Sequence, residues 1–472
     1  MAVSALLLAA QISPWCYPMP DAYQFLSMAR SVAHGHGLTA HGDPHDGPPK
    51  QPGYSLLISP LFLISDRPFL ELSIVHFLLA VVWMGGVYVW ARRVVPAAAI
   101  WIAALSAANG AYWVVYRQPL SDVTFACGCV WSINFLDTAI HARPAGVCMA
   151  SSLAAAAMLT ATCTVRYLGI TFALGCCLAL LLGARRGQFA WRRAIALTLL
   201  LGLAAAATVV GLLAREHAMA LRSGAHTYVG FFKASATGFT NTCPRGLQLN
   251  IAGVGRDMIP GMLKSYGPEG KWLNINMLLY IPFFALLLLG WTRWIRRQAD
   301  PFAWTLPLYM AVLVAYSAEY GVRFCVPLLP ALWVCLWFGL ERLQQRRFRI
   351  LATLWVLHVA VALGYWLAID LPGARALNRQ WPLADRLVAR VGADAGLIAV
   401  APGPVATNPS VLEFVQLVQL ALDGPVADNF DDPTVRDRTQ WLIMPADRPP
   451  LHGFVLSCPL GPYQLLHRSD NR

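Results

Sequence analysis

Apolar stretches of about twenty residues, the length needed to cross a bilayer as a helix, follow one another along the first 368 residues. Residues 70–91 end in Arg92-Arg93, residues 95–115 lead to a polar turn ending at Asp122, and residues 123–140 run to His141 and Arg143. Residues 145–163 stop before Arg166, residues 167–183 before Arg185 and Arg186, and residues 194–214 before a long polar loop. After it come 273–291, 303–318, 324–340 and 350–368, the third closed by Arg342, Arg346, Arg347 and Arg349. Residues 2–13 are apolar but short of a full crossing, and the first basic residue is Arg30, so the charged start of a signal peptide is missing. This stretch reads as a short, uncleaved and truncated first helix. The pattern predicts an all-α polytopic membrane bundle of about eleven spans.

Every second short loop is basic: Arg92-Arg93, Arg143, Arg185–Arg193, Arg293–Arg297 and Arg342–Arg349. The positive-inside rule places these in the cytoplasm. The N-terminus is then cytoplasmic, and a first loop at 15–60, a second large loop at 215–272 and the polar turns at Asp122, Arg166 and Glu319–Arg323 face the other side. Residues 369–472 change character. A helical WPLADRLVARV and PSVLEFVQLVQLAL alternate with strand-like GLIAVA, QWLIMP, GFVLSC and YQLLHR, which predicts a small extracytoplasmic α/β domain. Two domains result, 1–368 and 369–472, the second suited to packing or acceptor docking.

Composition supports this division. The chain is 57% hydrophobic and 13% charged, about half the charge of a soluble domain. Its net +12 comes from arginines in short interhelical clusters, with no continuous basic stripe, so nucleic acid is excluded as a partner. Most of the 11 cysteines lie inside apolar runs without zinc-site spacing and read as small hydrophobes. Cys16, Cys243 and Cys458 fall outside them, and sequence cannot pair them.

The polar stretch from Pro14 to Pro60 concentrates the candidate chemistry. Asp21 opens a helical DAYQFLSMARSVAHG, with Tyr23, Phe25, Leu26 and Ala29 on one face; it is either an N-cap or a carboxylate working at the membrane surface. Asp122, after Ser121, carries the same two readings. Lys50, Arg117, Arg166 and Arg323 stand at extracytoplasmic helix ends, where they either snorkel or clamp a phosphate. Glu319 is placed to pair with Arg323 at i,i+4. His34, His36, His41 and His45 with Asp43 and Asp46 lack repeated ligand spacing and read as a solvated loop containing a His-Gly-His-Gly turn. The cytoplasmic loops are too short to hold a nucleotide donor, so transfer chemistry would be extracytoplasmic and fed by a lipid-linked donor.

The order of features resembles the GT-C superfamily of polyprenyl-phosphate-sugar transferases, close to protein O-mannosyltransferases and lipid A aminoarabinose transferases. It is carried by Asp21 after the first span, Lys50-Gln51-Pro52-Gly53-Tyr54, Leu120-Ser121-Asp122, Arg166-Tyr167-Leu168-Gly169 and the Gly321–Pro330 run with Arg323. The resemblance implies a glycosyltransferase of the plasma (inner) membrane that moves one sugar from a polyprenyl-phosphate carrier to an extracytoplasmic lipid, glycan or protein. Asp21 would be base or acceptor ligand and Asp122 a supporting acid. Lys50 and Arg323, with Arg117 and Arg166, would hold the donor phosphate, and Tyr54 and Glu319 would support them. It leaves room for a divalent metal on Asp21 and Asp122. Lys233, Arg256, Lys264 and Lys271 of the second loop would help to cover the cavity. The arginine-rich basic set suggests a GC-rich bacterial source and undecaprenyl phosphate as carrier. A lipid-linked-sugar flippase or transporter, or a non-catalytic scaffold of the same fold, are the alternatives.

Overall fold

The computed structural model describes residues 1–14, 20–38, 50–142, 144–223, 258, 271–315, 322–391, 397–400, 426–427, 439–445, 454–460 and 463–468. Among these, six helical stretches are long and apolar enough to cross a membrane, and four shorter apolar helices accompany them. The protein is a multi-pass membrane bundle with a small C-terminal sheet.

Helices α1 (Ala2–Ala9), α2 (Pro20–Ala33) and α3 (Pro52–Ile58) precede the first long span, α4 (Phe69–Val94). At eight residues α1 is only about 12 Å long, well short of a crossing. The stretch 95–115, expected as one helix, is broken. A 3-10 turn (Pro96–Ala98) leads into α5 (Ala99–Ala108), Asn109 turns extended at ψ 131°, and α6 (Gly110–Tyr116) restarts the chain. Trp113 Nε1 donates to the Ala107 carbonyl at 2.8 Å across the break, satisfying a group the interrupted ladder would strand.

Helices α7 (Asp122–His141), α8 (Ala145–Val165), α9 (Gly169–Arg185) and α10 (Trp191–Ser223) form an antiparallel run. Then come α11 (Lys271–Arg297), α12 (Pro301–Ala315), a 3-10 segment (Val322–Leu328) leading into α13 (Leu329–Gly339), and α14 (Arg346–Tyr365). Glycines let some neighbours meet backbone to backbone. A Cβ on Gly290 of α11 would overlap the Cys335 carbonyl of α13, and one on Gly339 would sit 2.6 Å from the Leu286 carbonyl oxygen.

The basic loops converge on one end of the bundle. Arg193 donates to the Ile140 carbonyl, Arg186 to that of Ile295 and Arg293 to that of Phe338, each at 2.7 Å. Arg297 pairs with Glu341 at 2.9 Å, and Arg93 with Asp137 at 2.9 Å. Asp300 caps α12 there, accepting from the Phe302 N–H at 2.8 Å and from Trp90 Nε1 at 3.1 Å. Burial raises the Asp300 pKa from 3.8 to about 6 against the lowering effect of those bonds. The folded protein therefore holds this proton more tightly than the unfolded chain. Its contribution to stability is complete below about pH 4 and declines as pH rises through about 6. Asp300→Asn keeps an acceptor and removes the charge. Its thermal midpoint in detergent is expected to match or exceed wild type at neutral pH, with a flatter profile between pH 4 and 6. A midpoint several degrees lower at neutral pH would show that the charge itself is needed.

After α14 a π-helical turn (Trp366–Asp370) leads into α15 (Leu371–Asn378) and α16 (Trp381–Val391). Strands β1 (Leu397–Val400), β2 (Val426–Ala427), β3 (Thr439–Pro445), β4 (Phe454–Leu460) and β5 (Tyr463–Arg468) order as β2-β1-β3-β5-β4. β1 runs parallel to β2 and β3, while β5 is antiparallel to β3 and β4. Both the WPLADRLVARV helix and the four strand-like runs are therefore as expected; the PSVLEFVQLVQLAL segment lies outside the described residues. Arg67, just before α4, pairs with Asp385 of α16 and stacks over Trp381, its guanidinium 4.2 Å from the ring centre. That contact joins α16 to the bundle end opposite the basic loops.

Candidate functional site

The described parts of the first loop, the turns at Asp122 and Arg166, and the segment Val322–Leu328 lie at this second end. Asp21 is the second residue of α2, a helix buried along most of its length: Ala22, Leu26 and Ala29 have no exposed surface, and Tyr23 and Phe25 little. The Asp21 side chain itself lies outside the described residues. α2 ends in the His34-Gly-His36-Gly turn, where Gly35 (φ +80°) and Gly37 (φ +84°) take the left-handed conformation and His34 and His36 are exposed. His41, Asp43, His45, Asp46 and Cys16 lie outside the described residues, as do Glu319, Cys243, Lys233, Arg256 and Lys264 and the side chains of Arg323, Lys271 and Cys458.

Helix α3 starts at Pro52 with Gln51 as N-cap, so Lys50 stands just ahead of it, partly exposed. Three contacts fix its first turn. Gly53 meets the end of α8, Tyr54 Oη bonds His76 Nε2 at 2.8 Å, and Ser55 Oγ donates to the Phe25 carbonyl at 2.9 Å. A Cβ on Gly53 would lie 2.7 Å from the Thr164 carbonyl carbon and from the Val165 nitrogen, both backbone atoms with little room to move. Gly53→Ala is therefore expected to cost about 1–3 kcal/mol through overpacking. Gly85→Ala, where a Cβ meets nothing within 4 Å, is the control and is expected to leave the thermal midpoint unchanged or raise it. Equal midpoints for both variants would refute the close packing of α3 on α8.

Directly after α8, Arg166 turns into the bundle and forms a buried ion pair with Asp122, Nη2 to Oδ2 at 2.7 Å. Its Nε donates to Ser121 Oγ at 3.0 Å. The guanidinium lies 5.0 Å from the Phe324 ring centre and 5.9 Å from that of Phe125. Simple capping is thus not what Ser121 and Asp122 do: Ser121 makes no side-chain cap bond, and both side chains serve Arg166. Phe324, next to Arg323, carries that segment onto Arg166. Among the described residues, Asp122 Oδ1 and Arg166 Nη1 are buried without a hydrogen-bond partner.

Arg117 is engaged elsewhere. It pairs with Asp370 of the π-helical turn and donates from Nε to the Trp113 carbonyl at 3.0 Å. Burial pulls its pKa down, and the Asp370 carboxylate pushes it back up. The structure therefore brings Asp122, Arg166 and the Arg323 segment together, sets Tyr54 on the helix packed against α8 with Lys50 just ahead of that helix, and ties Arg117 to a different acid.

Three polar side chains at this end were missed by the sequence reading. His76, inside the apolar run of α4, bridges Tyr54 and Tyr116. Glu216, 2% exposed, accepts from Tyr167 Oη at 2.9 Å. It was assigned to the second loop because the apolar run stops at 214, whereas α10 continues to Ser223. Asp370 falls two residues past the last expected span, at the start of the tail, where nothing in the sequence links it to Arg117. A lone polar residue in an apolar run was the available signal for His76.

A divalent cation on Asp122 would have to share a carboxylate whose Oδ2 already holds the Arg166 guanidinium. Among the described residues, no three His, Cys, Asp or Glu side chains gather closely enough to ligate one. The described side chains do not make a metal site.

No protein-family model matches the sequence, and no curated protein matches it. Solved structures do. ArnT from Cupriavidus metallidurans bound to undecaprenyl phosphate superposes with a TM-score of 0.62 at 13% identity, covering 100% of this chain and 97% of that one. The Archaeoglobus fulgidus oligosaccharyltransferase in the apo form gives 0.57 at 13% identity over 94% of this chain and 68% of that one, and the same protein is known in complex with Zn and sulfate. The arabinofuranosyltransferase AftD from Mycobacteria gives 0.50 at 14% identity, covering 100% of this chain and 39% of that one. The chain has the fold of the GT-C glycosyltransferases, the class its short motifs resemble.

Proposed function

We propose that this protein is a membrane glycosyltransferase that moves one sugar from a polyprenyl-phosphate carrier to an extracytoplasmic acceptor. The observation that carries the reading is the superposition along the whole chain on an ArnT structure holding undecaprenyl phosphate. The polar side chains gathered opposite the basic loops support it. In this reading the bundle has about eleven spans, judged by the ~20-residue criterion. The basic loops are cytoplasmic, the sheet domain is extracytoplasmic, and the domain boundary falls near residue 368.

The reaction is a direct displacement. The Asp21 carboxylate accepts the proton of the acceptor's nucleophilic group as that atom attacks the anomeric carbon. The bond from that carbon to the phosphate oxygen breaks, its electron pair stays with polyprenyl phosphate, and the configuration inverts. Lys50 and Arg323 hold the departing phosphate. Arg166 and Arg117 are already neutralised by carboxylates, so they steady the site around it. The test is purified protein with labelled polyprenyl-phosphate sugars and a pool of envelope acceptors. Transfer with release of polyprenyl phosphate is expected; movement of intact donor across vesicles without release would refute the enzyme.

A further inference from the structure

We infer that His76, buried in the first long span, is a positioning residue for glycosyl transfer, acting through Tyr54; the inference rests on the function proposed above. His76 is 2% exposed, and both ring nitrogens are engaged. Nδ1 lies 2.9 Å from the Tyr116 carbonyl oxygen and Nε2 lies 2.8 Å from Tyr54 Oη. A carbonyl oxygen can only accept, so Nδ1 carries the proton and the neutral ring's Nε2 is an acceptor. Tyr54 must then donate its hydroxyl hydrogen to His76. Tyr116, at the far side, donates its own hydroxyl to the Leu8 carbonyl at 2.9 Å. One line of hydrogen bonds thus runs from α1 through α6 and α4 to the first turn of α3.

That turn bears on both ends of the proposed chemistry. Lys50 stands four residues before Tyr54. On the other side, the Phe25 ring meets the Tyr54 ring edge to face, centroids 5.2 Å apart, and Ser55 holds the Phe25 carbonyl. Asp21 precedes Phe25 by one helical turn of α2. Where His76 sets Tyr54, it therefore sets the spacing between the Lys50 and Asp21 segments. An apolar span has no packing need for an imidazole with two directed bonds. Polar side chains in membrane spans are retained at functional sites.

The experiment compares wild type, His76→Leu, His76→Gln, Tyr54→Phe and the His76→Leu/Tyr54→Phe double variant. Each is purified in detergent and checked for elution and thermal midpoint, then measured for transfer and for undecaprenyl phosphate binding. His76→Leu is expected to lower turnover about 10- to 100-fold, the size of effect that misplacing a reacting group by an ångström produces. The lipid affinity should change far less. His76→Gln, whose amide offers a donor and an acceptor, should recover part of the loss, and the double variant should be no slower than the worse single one. His76→Leu turnover within twofold of wild type overturns the inference, as does full additivity in the double variant or a loss tracking thermal midpoint alone. A wild type that neither transfers sugar nor binds the lipid overturns the proposed function, and this inference with it.

Discussion

Asp21→Asn is expected to lower sugar transfer by at least about a hundredfold while leaving expression, elution and thermal midpoint near wild type, as removal of a general base does. The substitution keeps shape and hydrogen-bonding capacity and deletes only the basic carboxylate. A helix-capping role would survive it, because Asn caps as well as Asp. Unchanged transfer would reduce Asp21 to a structural residue and move the base elsewhere at this end of the bundle. An equal loss of turnover and of thermal midpoint would likewise count against a catalytic role.

The second large effect concerns the Asp122–Arg166 pair. Asp122 is 1% and Arg166 7% exposed, so each charge has given up water for the other. Asp122→Ala leaves a buried guanidinium uncompensated and is expected to cost about 3–5 kcal/mol, read as a large drop in thermal midpoint. Replacing both partners, as Asp122→Leu with Arg166→Met, removes the unpaired charge as well and is expected to restore most of that stability. Transfer by the double variant should nevertheless stay at least about tenfold below wild type, since the Arg323 segment loses its stacking surface on Arg166 and moves. A double variant with wild-type transfer would make the pair purely structural. One as unstable as Asp122→Ala would show that the two charges do not serve each other.

The two predictions separate what could be read locally from what could not. Asp21, Lys50 and Tyr54 stood out because a polar stretch between apolar spans is visible at its own positions. Arg166 and Arg117 were legible as cations at helix ends but not as different kinds of cation. Their partners, Asp122 and Asp370, lie 44 and 253 residues away along the chain. The break at Asn109 did have a local signal, the Asn109-Gly110 pair inside an otherwise apolar run, while its repair by Trp113 is a matter of the folded chain.

By itself the sequence determined a largely helical multi-pass membrane chain, the strand-like runs of a small C-terminal sheet and the short early motifs. Hydropathy, helix length and strand alternation are sums over neighbouring residues, and a bilayer enforces them locally. Only the tertiary structure decided which charges are paired, that α10 carries Glu216 inward, and that His76 holds the helix bearing Tyr54. Those outcomes depend on directed bonds between helices distant in sequence. Such bonds form at one distance and angle that no single stretch of chain encodes.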